Sequence, residues 1–383
     1  MPRSQGSHIS TGAHADQNGH DTCPPLEVDA MENRLVVGAM DTAECIVGEQ
    51  LRPHFESIES EEIEITFTEV DDFESGLNDL SSGKLDLLAV HATETLAASE
   101  SISSLGCQVI GARAPRRPSM VLVSPDRLMY QPKSAIIVSG SELVRRQLLR
   151  ARSDLDVIPL EGVEDAVEGF EHPADPSDWP GSLGELLSEG KIDGFVISKT
   201  EYETSGLSHR RHTLLPFPKE RGGPHFLPKP FSDLIAIVCR AGFPARLGQI
   251  VTEPEGNTAL WVQSRIMGDL AESFGETMGI QVRHRQVGGL LRQAEADRDI
   301  VLEEACHDPD GEILEDEVRV EIRIETISAD GNRTLSLDRL IPRREFQHAT
   351  ISLLVDWGKL VKEATREVPK DHPTDVEAPS FLN

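Results

Sequence analysis

The chain has 383 residues, a formal net charge of −29 and an apolar content of 38%. This length is enough for two or three domains, each with its own core. The negative charge argues against nucleic acid as a partner, because phosphate binding needs clustered Lys and Arg, and no apolar run approaches the length of a membrane span.

The cysteines and the N-terminus give expectations about location and metal content. Five cysteines are widely separated, without the spacing of metal ligands: Cys23, Cys45, Cys107, Cys239 and Cys306. We expect reduced, mostly buried thiols. His209, His212 and His225 also lack the spacing of a zinc site, so no metal is predicted. Because the N-terminus lacks a secretory apolar segment, the sequence predicts a cytoplasmic protein, and we expect a monomer.

The pattern becomes α/β after a polar tail. Residues 1–32 are rich in Ser, Gly, His and Asp, which is typical of disorder. A strand is predicted at 35–38, and Asp41 or Thr42 is placed to cap the helix that follows. Alternating strands and helices continue at 63–67, 73–80 and 85–91. Such alternation predicts a mostly parallel sheet, with ligands at the carboxyl ends of its strands.

The stretch Ile136–Gly162 predicts a strand, a tight turn, a helix and a second strand. Such a turn directs free backbone N–H groups and the positive end of a helix dipole at one point. Arg145 and Arg146 lie in the first turns of the helix, and guanidinium groups suit carboxylates. The alternative interpretation is that both arginines are solvated helix residues.

This stretch resembles the hydroxymethylbilane synthases (porphobilinogen deaminases). That family has Gly-Thr-Ser-Ser-Leu-Arg-Arg-Gln where this chain has Gly140–Gln147, and Arg-Pro-Asp-Leu where it has Arg152–Leu155. Gly83–His91 resembles the family's Gly-x-x-Asp-x-Ala-Val-His strand, and 121–124 resembles the strand that closes its first domain. The resemblance covers residues 34–367.

The resemblance implies an α/β fold of three domains. Two bilobed domains like those of periplasmic binding proteins precede a smaller α+β C-terminal domain. The implied bounds are 33–130 with 231–246 for domain 1, 133–226 for domain 2 and 253–367 for domain 3, followed by a polar tail at 368–383. The segment after 232 is expected to return to the first domain as a strand.

The residues that the family needs for its reaction are largely replaced. Thr95 stands in place of the catalytic aspartate, next to Glu94. Glu276 stands where the family's cysteine holds a covalent dipyrrole primer, so we expect no cofactor. Arg145, Arg146, Ser141 and Thr42 remain as ligand-binding candidates, and Glu94 and His91 are weak catalytic candidates. Ser141 alternatively caps its helix, and His91 alternatively belongs to a hydrogen-bonded scaffold.

The resemblance therefore implies a divergent, repurposed or inactive relative of a haem-pathway transferase. Two alternatives remain open. One is an active porphobilinogen-condensing deaminase that holds its primer in another way. The other is a protein that binds a small anion between its lobes or has a regulatory role. The expected partner is a small anionic or pyrrole-type ligand.

Overall fold

A computed structural model describes residues 34–58, 64–114, 120–218, 223–232, 234–308, 310–314 and 317–365. The two predicted tails and Cys23 lie outside the described residues. No helix within the described ranges is long and apolar enough to cross a bilayer.

The strands of the described chain form three sheets. They are β1 Arg34–Ala39, β2 Glu64–Glu69, β3 Leu87–His91, β4 Cys107–Arg113, β5 Met120–Val123, β6 Ile136–Ser139, β7 Asp156–Ile158, β8 Gly194–Ser198, β9 Arg211–Thr213, β10 Ile235–Arg240, β11 Met278–Gln286, β12 Val318–Ile327 and β13 Thr334–Pro342.

Helices cover these sheets and connect their strands. They are α1 Val47–Ile58, α2 Phe73–Ser82, α3 Ala92–Ala97, α4 Ser99–Ser104, α5 Glu142–Ala151, α6 Val163–Ala166, α7 Trp179–Ser188, α8 Lys199–Thr204, α9 Ala245–Val251, α10 Pro254–Phe274, α11 Val287–Asp297, α12 Ile300–Glu304 and α13 Phe346–Ala364.

The first lobe is a five-stranded sheet in the order β2-β1-β3-β10-β4. Strands β1, β2 and β3 are parallel, whereas β10 pairs antiparallel with both β3 and β4. The predicted returning strand is thus confirmed as β10. Local signals agree with the fold here: Asp72 accepts a hydrogen bond from the Ser75 N–H at the start of α2, and Gly83 ends that helix at a φ of 84°.

The second lobe is a five-stranded sheet in the order β7-β6-β8-β5-β9. It contains β5, which pairs antiparallel with β8 and β9. The interpretation of 121–124 as the strand that closes the first lobe is therefore wrong. That place at the sheet edge belongs to β4, which the sequence analysis missed.

The third unit is an antiparallel sheet in the order β11-β12-β13. Its apolar face packs on α10 and α13 around the fully buried Trp357 and Ile322. The same apolar cluster continues through α10 to Val90 and Val238 of the first sheet, while the second lobe has clusters of its own. The predicted class, a bilobed α/β protein with a smaller α+β unit, is confirmed. The predicted domain bounds stay a prediction.

Candidate functional site

Arg145 and Arg146 bind a carboxylate of their own helix. Arg145 donates from Nε and Nη2 to Glu142 at 2.7 and 2.8 Å, and Arg146 donates from Nε to the same carboxylate at 2.6 Å. Arg146 also donates from Nη1 to the carbonyl oxygen of Ile327 at 2.7 Å. Glu142 lies three and four residues before the arginines, so all three side chains share one helix face. Hydrogen bonding from Arg145 lowers the pKa of Glu142. Both guanidinium groups are thus paired within the chain, and a ligand-binding role for Arg145 and Arg146 stays a prediction.

Ser141 and Thr42 have local structural contacts. The Ser141 hydroxyl accepts a hydrogen bond from the Val144 N–H at 3.4 Å and caps α5, as the alternative interpretation stated. Thr42 Oγ1 accepts from the Cys45 N–H at 3.1 Å within a turn. Capping of α1 falls to Asp41, which accepts from the Gly48 N–H at 3.0 Å. The ligand-binding role of Ser141 and Thr42 stays a prediction.

His91 and Glu94 lie together after β3. His91 is buried, and its Nδ1 lies 2.7 Å from Thr93 Oγ1. Burial lowers the pKa of His91, against smaller opposing effects of the Glu44 and Glu94 carboxylates. The imidazole is therefore neutral at pH 7. Glu94 is partly exposed on the short helix α3, and a catalytic role for either residue stays a prediction.

Glu276, at the position expected for a primer cysteine, lies in the exposed turn between α10 and β11. The described cysteines, Cys45, Cys107, Cys239 and Cys306, are all buried. Burial raises the pKa of Cys239 to about 11, which keeps this thiol protonated and unreactive. Within the described residues, no three His, Cys, Asp or Glu side chains are grouped to hold a metal ion.

The cleft between the two lobes is closed by direct contacts. Ser198 Oγ donates to the Ala43 carbonyl oxygen at 3.3 Å, and Thr200 Oγ1 donates to the Glu44 carbonyl oxygen at 3.0 Å. Lys229 Nζ lies 3.3 Å from the Glu44 carboxylate. The remaining cavity in this cleft is about 30 Å³, enough for a water molecule. This cavity is too small for a larger ligand.

A buried polar cluster joins α5 to the third sheet. Glu325, 1% exposed, accepts hydrogen bonds from Arg150 at 2.7 Å and from Gln147 at 3.0 Å. His225 Nε2 lies 3.1 Å from the same carboxylate. Burial acts to raise the pKa of Glu325, but the contacts with His225, Arg150 and Gln147 outweigh it and lower the pKa to about 2. These contacts hold the second lobe on β12.

A second cavity, of about 330 Å³, lies along the free edge of β11. Its walls are α10, β11, the end of β4 and the segment that links β9 to β10. Glu255, Ala259 and Gln263 line it from one face of α10, at intervals of four residues. The apolar part of the wall consists of Ala114, Leu215, Pro216, Phe217, Pro228, Leu234, Ala259, Ile280 and Val282.

Cationic side chains border this cavity. Lys229, Arg283 and Arg285 line it together with a single described carboxylate, Glu255. Arg283 stacks on the Phe217 ring at 3.6 Å from its centre and also pairs with Glu321, whose carboxylate Arg285 approaches to 3.3 Å. Burial acts to raise the pKa of Glu321, but the hydrogen bond from Arg283 outweighs it and lowers the pKa. Glu321 is therefore ionised and neutralises part of the positive charge.

This cavity was not predicted from the sequence. Only the alternation of Arg283 and Arg285 along β11 marks one polar strand face in the sequence. Lys229 and Gln263 lie far from that strand in sequence, and no local pattern connects them to it. The site arises from tertiary packing of α10 and the linking segment against β11.

Comparison with known proteins returns structures but no family. No family model and no curated protein matches the chain. Matching solved structures include lipoprotein Tp32 from Treponema pallidum, at 14% identity and a TM-score of 0.32 over 63% of this chain and 96% of that one. A periplasmic substrate-binding protein of an ABC transporter from Coxiella burnetii matches at 17% identity and 0.30, over 61% and 97%. The alkanesulfonate-binding protein SsuA from Xanthomonas axonopodis, bound to MOPS, matches at 14% and 0.27, over 91% and 97%.

These findings correct three expectations. Because no family model matches the chain, the assignment to the hydroxymethylbilane synthases is wrong. The inferred relation to tetrapyrrole and haem biosynthesis is wrong with it. The predicted cytoplasmic location, which rested only on the lack of a secretory apolar segment, is not borne out either.

Proposed function

We propose that this protein binds a small solute that carries an anionic group, in the cavity along β11. The observation that carries the proposal is a preformed cavity of about 330 Å³ bordered by Lys229, Arg283 and Arg285 in a chain whose net charge is −29. Ligand sites are commonly concave, mostly apolar and provided with a few polar groups, and this cavity has all three properties. A locally cationic wall in an acidic protein favours an anion over a cation.

Lys229 is the side chain best placed to exchange its Glu44 partner for a ligand anion. Its ion pair with Glu44 joins two side chains that are 41% and 50% exposed. Exposed pairs of this kind contribute only about 0–1 kcal/mol, so a ligand anion in the cavity competes with Glu44 at little cost. Arg283 is fixed on Phe217 and Glu321 and serves as part of the wall.

The test is a titration with defined anions. Acetate, glutarate, citrate, methanesulfonate and inorganic phosphate are added to the full chain, and the thermal unfolding midpoint and heats of binding are recorded. We expect at least one anion to raise the midpoint in a saturable way, because a ligand that binds only the folded state stabilises it.

Two variants locate the binding. Ala259, which is 1% exposed and lines the cavity, is changed to leucine so that the larger side chain fills the space. The matched control is Ala271→Leu, on an exposed position of the same helix. Loss of anion binding in Ala259→Leu alone supports the proposal. Equal binding by both variants, or no response to any anion, contradicts it.

A further inference from the structure

The wall of the cavity includes a short unpaired length of strand. The N–H of Ile280 donates to the Pro228 carbonyl oxygen, and the N–H of His284 donates to the Glu255 carboxylate, each at 2.9 Å. Both therefore point away from β12. The register of β11 with β12 runs without a shift from Met278 to Gln286. Because strand groups alternate with a period of two, the N–H and C=O of Val282 also point to the free edge.

The backbone N–H and C=O of Val282 that face the free edge lack a partner within the described ranges. Among the described residues, neither its N–H nor its C=O has a partner outside the sheet, although Val282 is only 8% exposed and lines the cavity. Buried backbone groups in proteins are nearly always paired. The free pair at Val282 therefore points to a ligand that supplies one acceptor and one donor at the spacing of a strand residue.

Gln263 gives an independent indication that the cavity binds a ligand with hydrogen-bond acceptors. It is 5% exposed, and its Oε1 accepts a hydrogen bond from the Phe231 N–H at 2.5 Å, which fixes the orientation of the amide. Its Nε2 donates to no described residue, and Gln263 lines the same cavity. A nearly buried amide donor thus adds to the capacity at Val282, and both suit a ligand with amide carbonyl groups.

The charges at the two ends of the edge differ in sign. Lys229 directly follows Pro228, the partner of Ile280, so a cation lies at that end of the open segment. Glu255, the partner of His284, places a carboxylate at the other end. Four residue steps of about 3.3 Å separate these ends by about 13 Å, which exceeds the roughly 10 Å of an extended tripeptide.

We propose that the solute is a short peptide, of about three residues, that pairs antiparallel with β11 as an added strand. Its central residue exchanges both backbone hydrogen bonds with Val282. Its carboxylate lies toward Lys229 and its ammonium group toward Glu255. The inference rests on the proposed function, because the carboxylate is the anionic group that the cavity selects. The cavity volume of about 330 Å³ limits the peptide to small side chains, unlike a fully exposed sheet edge, which accepts long strands.

The experiment compares trialanine with analogues on the full chain by isothermal titration calorimetry. The first analogue replaces the central amide N–H with an ester oxygen, and the second is acetylated and amidated at its ends. We expect the ester to bind about tenfold more weakly than trialanine, because the Val282 carbonyl loses its donor. We expect the blocked peptide to bind about fivefold more weakly, because both end charges are lost.

A protein variant tests the same contact from the other side. Val282→Pro removes the edge N–H, and proline is tolerated on a strand edge where no ladder bond is lost. We expect its trialanine affinity to fall about tenfold. If this variant does not fold, the comparison of trialanine with its ester on the unchanged protein tests the contact with Val282.

The outcomes separate the two proposals. Equal affinities for trialanine, its ester and the blocked peptide overturn the peptide inference. Binding of glutarate or phosphate without binding of trialanine also overturns it, while the proposed function stands. If neither the anions nor trialanine bind, both proposals fail.

Discussion

The start of α5 and the edge of β11 both bring arginines to a place where an anion could bind, but only one of them is open. At α5, Glu142 forms ion pairs with the guanidinium groups of Arg145 and Arg146. At β11, Glu321 neutralises only part of the positive charge of the arginines, and a cavity of about 330 Å³ lies beside Lys229. The comparison teaches that a cationic motif indicates a ligand site only where the chain's own carboxylates leave a cavity open beside the positive charges.

The largest expected effect concerns the buried cluster that holds α5 on the third sheet. Glu325→Leu leaves Arg150 and His225 without their carboxylate, and breaking a buried pair in this way costs about 3–5 kcal/mol. We expect a loss of that size in the free energy of unfolding, measured by urea denaturation. The control is Asp338→Asn, which removes a 61% exposed partner of Arg323 on the same sheet. Equal losses of unfolding free energy in both variants would show that the Glu325 cluster does not hold α5 on the third sheet.

The same carboxylate predicts a dependence of stability on pH. The pKa of Glu325 is lowered in the folded protein to about 2 from its ordinary value of 4.5. A lowered folded pKa means that the contribution is complete above the unfolded pKa and is lost as pH falls toward the folded one. Stability should therefore fall between pH 4.5 and about 2, and Glu325→Gln should show a shallower fall. Identical pH curves for the two proteins would refute this.

A steric change at the same junction should have the next largest effect. Gly331 has a φ of 75°, and a Cβ there would lie 2.6 Å from the Arg150 backbone nitrogen. Gly331→Ala should lower the free energy of unfolding by about 2–3 kcal/mol, through both clash and backbone strain. The matched control is Gly206→Ala, where φ is 67° but no atom lies within 4 Å of the added Cβ. A smaller loss at Gly331 than at Gly206 would show that the turn does not pack on α5.

The ligand experiment sharpens the comparison directly. Lys229→Met should weaken binding of the best anion about tenfold, a loss of about 1.4 kcal/mol, because a charged hydrogen bond is removed. Arg145→Met should leave the affinity unchanged, since that guanidinium is already paired with Glu142. Calorimetric titration of both variants measures the difference. If Arg145→Met alone weakened anion binding tenfold, the binding site would lie at α5 and not along β11.

The smallest effect is expected at α5 itself. Arg145 and Glu142 are 23% and 29% exposed in their side chains, so solvent screens the pair. Glu142→Gln should lower the free energy of unfolding by about 0.5–1 kcal/mol, and added salt should reduce the difference. A loss comparable with that of Glu325→Leu would show that the two clusters act as one.

Much of the fold was predictable, because its signals are local. The Asp72 and Gly83 caps of α2 and the buried run of β3 lie within short windows of sequence. The pairing of Glu142 with Arg145 and Arg146 was also within reach, since the residues are spaced to share one face of a helix. The sheet to which β5 belongs could not be predicted from local sequence, because the pairing of strands depends on tertiary contacts.

The site was less predictable for a related reason. Its donors and acceptors are a backbone pair at Val282, an amide from α10 and a lysine from the linking segment. Backbone groups leave no mark in the sequence, and the three elements meet only after folding. The candidate residues from the resemblance were instead chosen by position in another family's pattern, and that resemblance proved wrong.

The position of β10 has a consequence for synthesis of the chain. The second sheet has all its strands once Thr213 is made, whereas β3 and β4 of the first sheet are joined only through β10, which ends at Arg240. As the chain leaves the ribosome, the lobe encoded second thus completes its hydrogen bonding first. Until β10 is made, β3 and β4 expose unpaired edges of the kind that chaperones protect from aggregation.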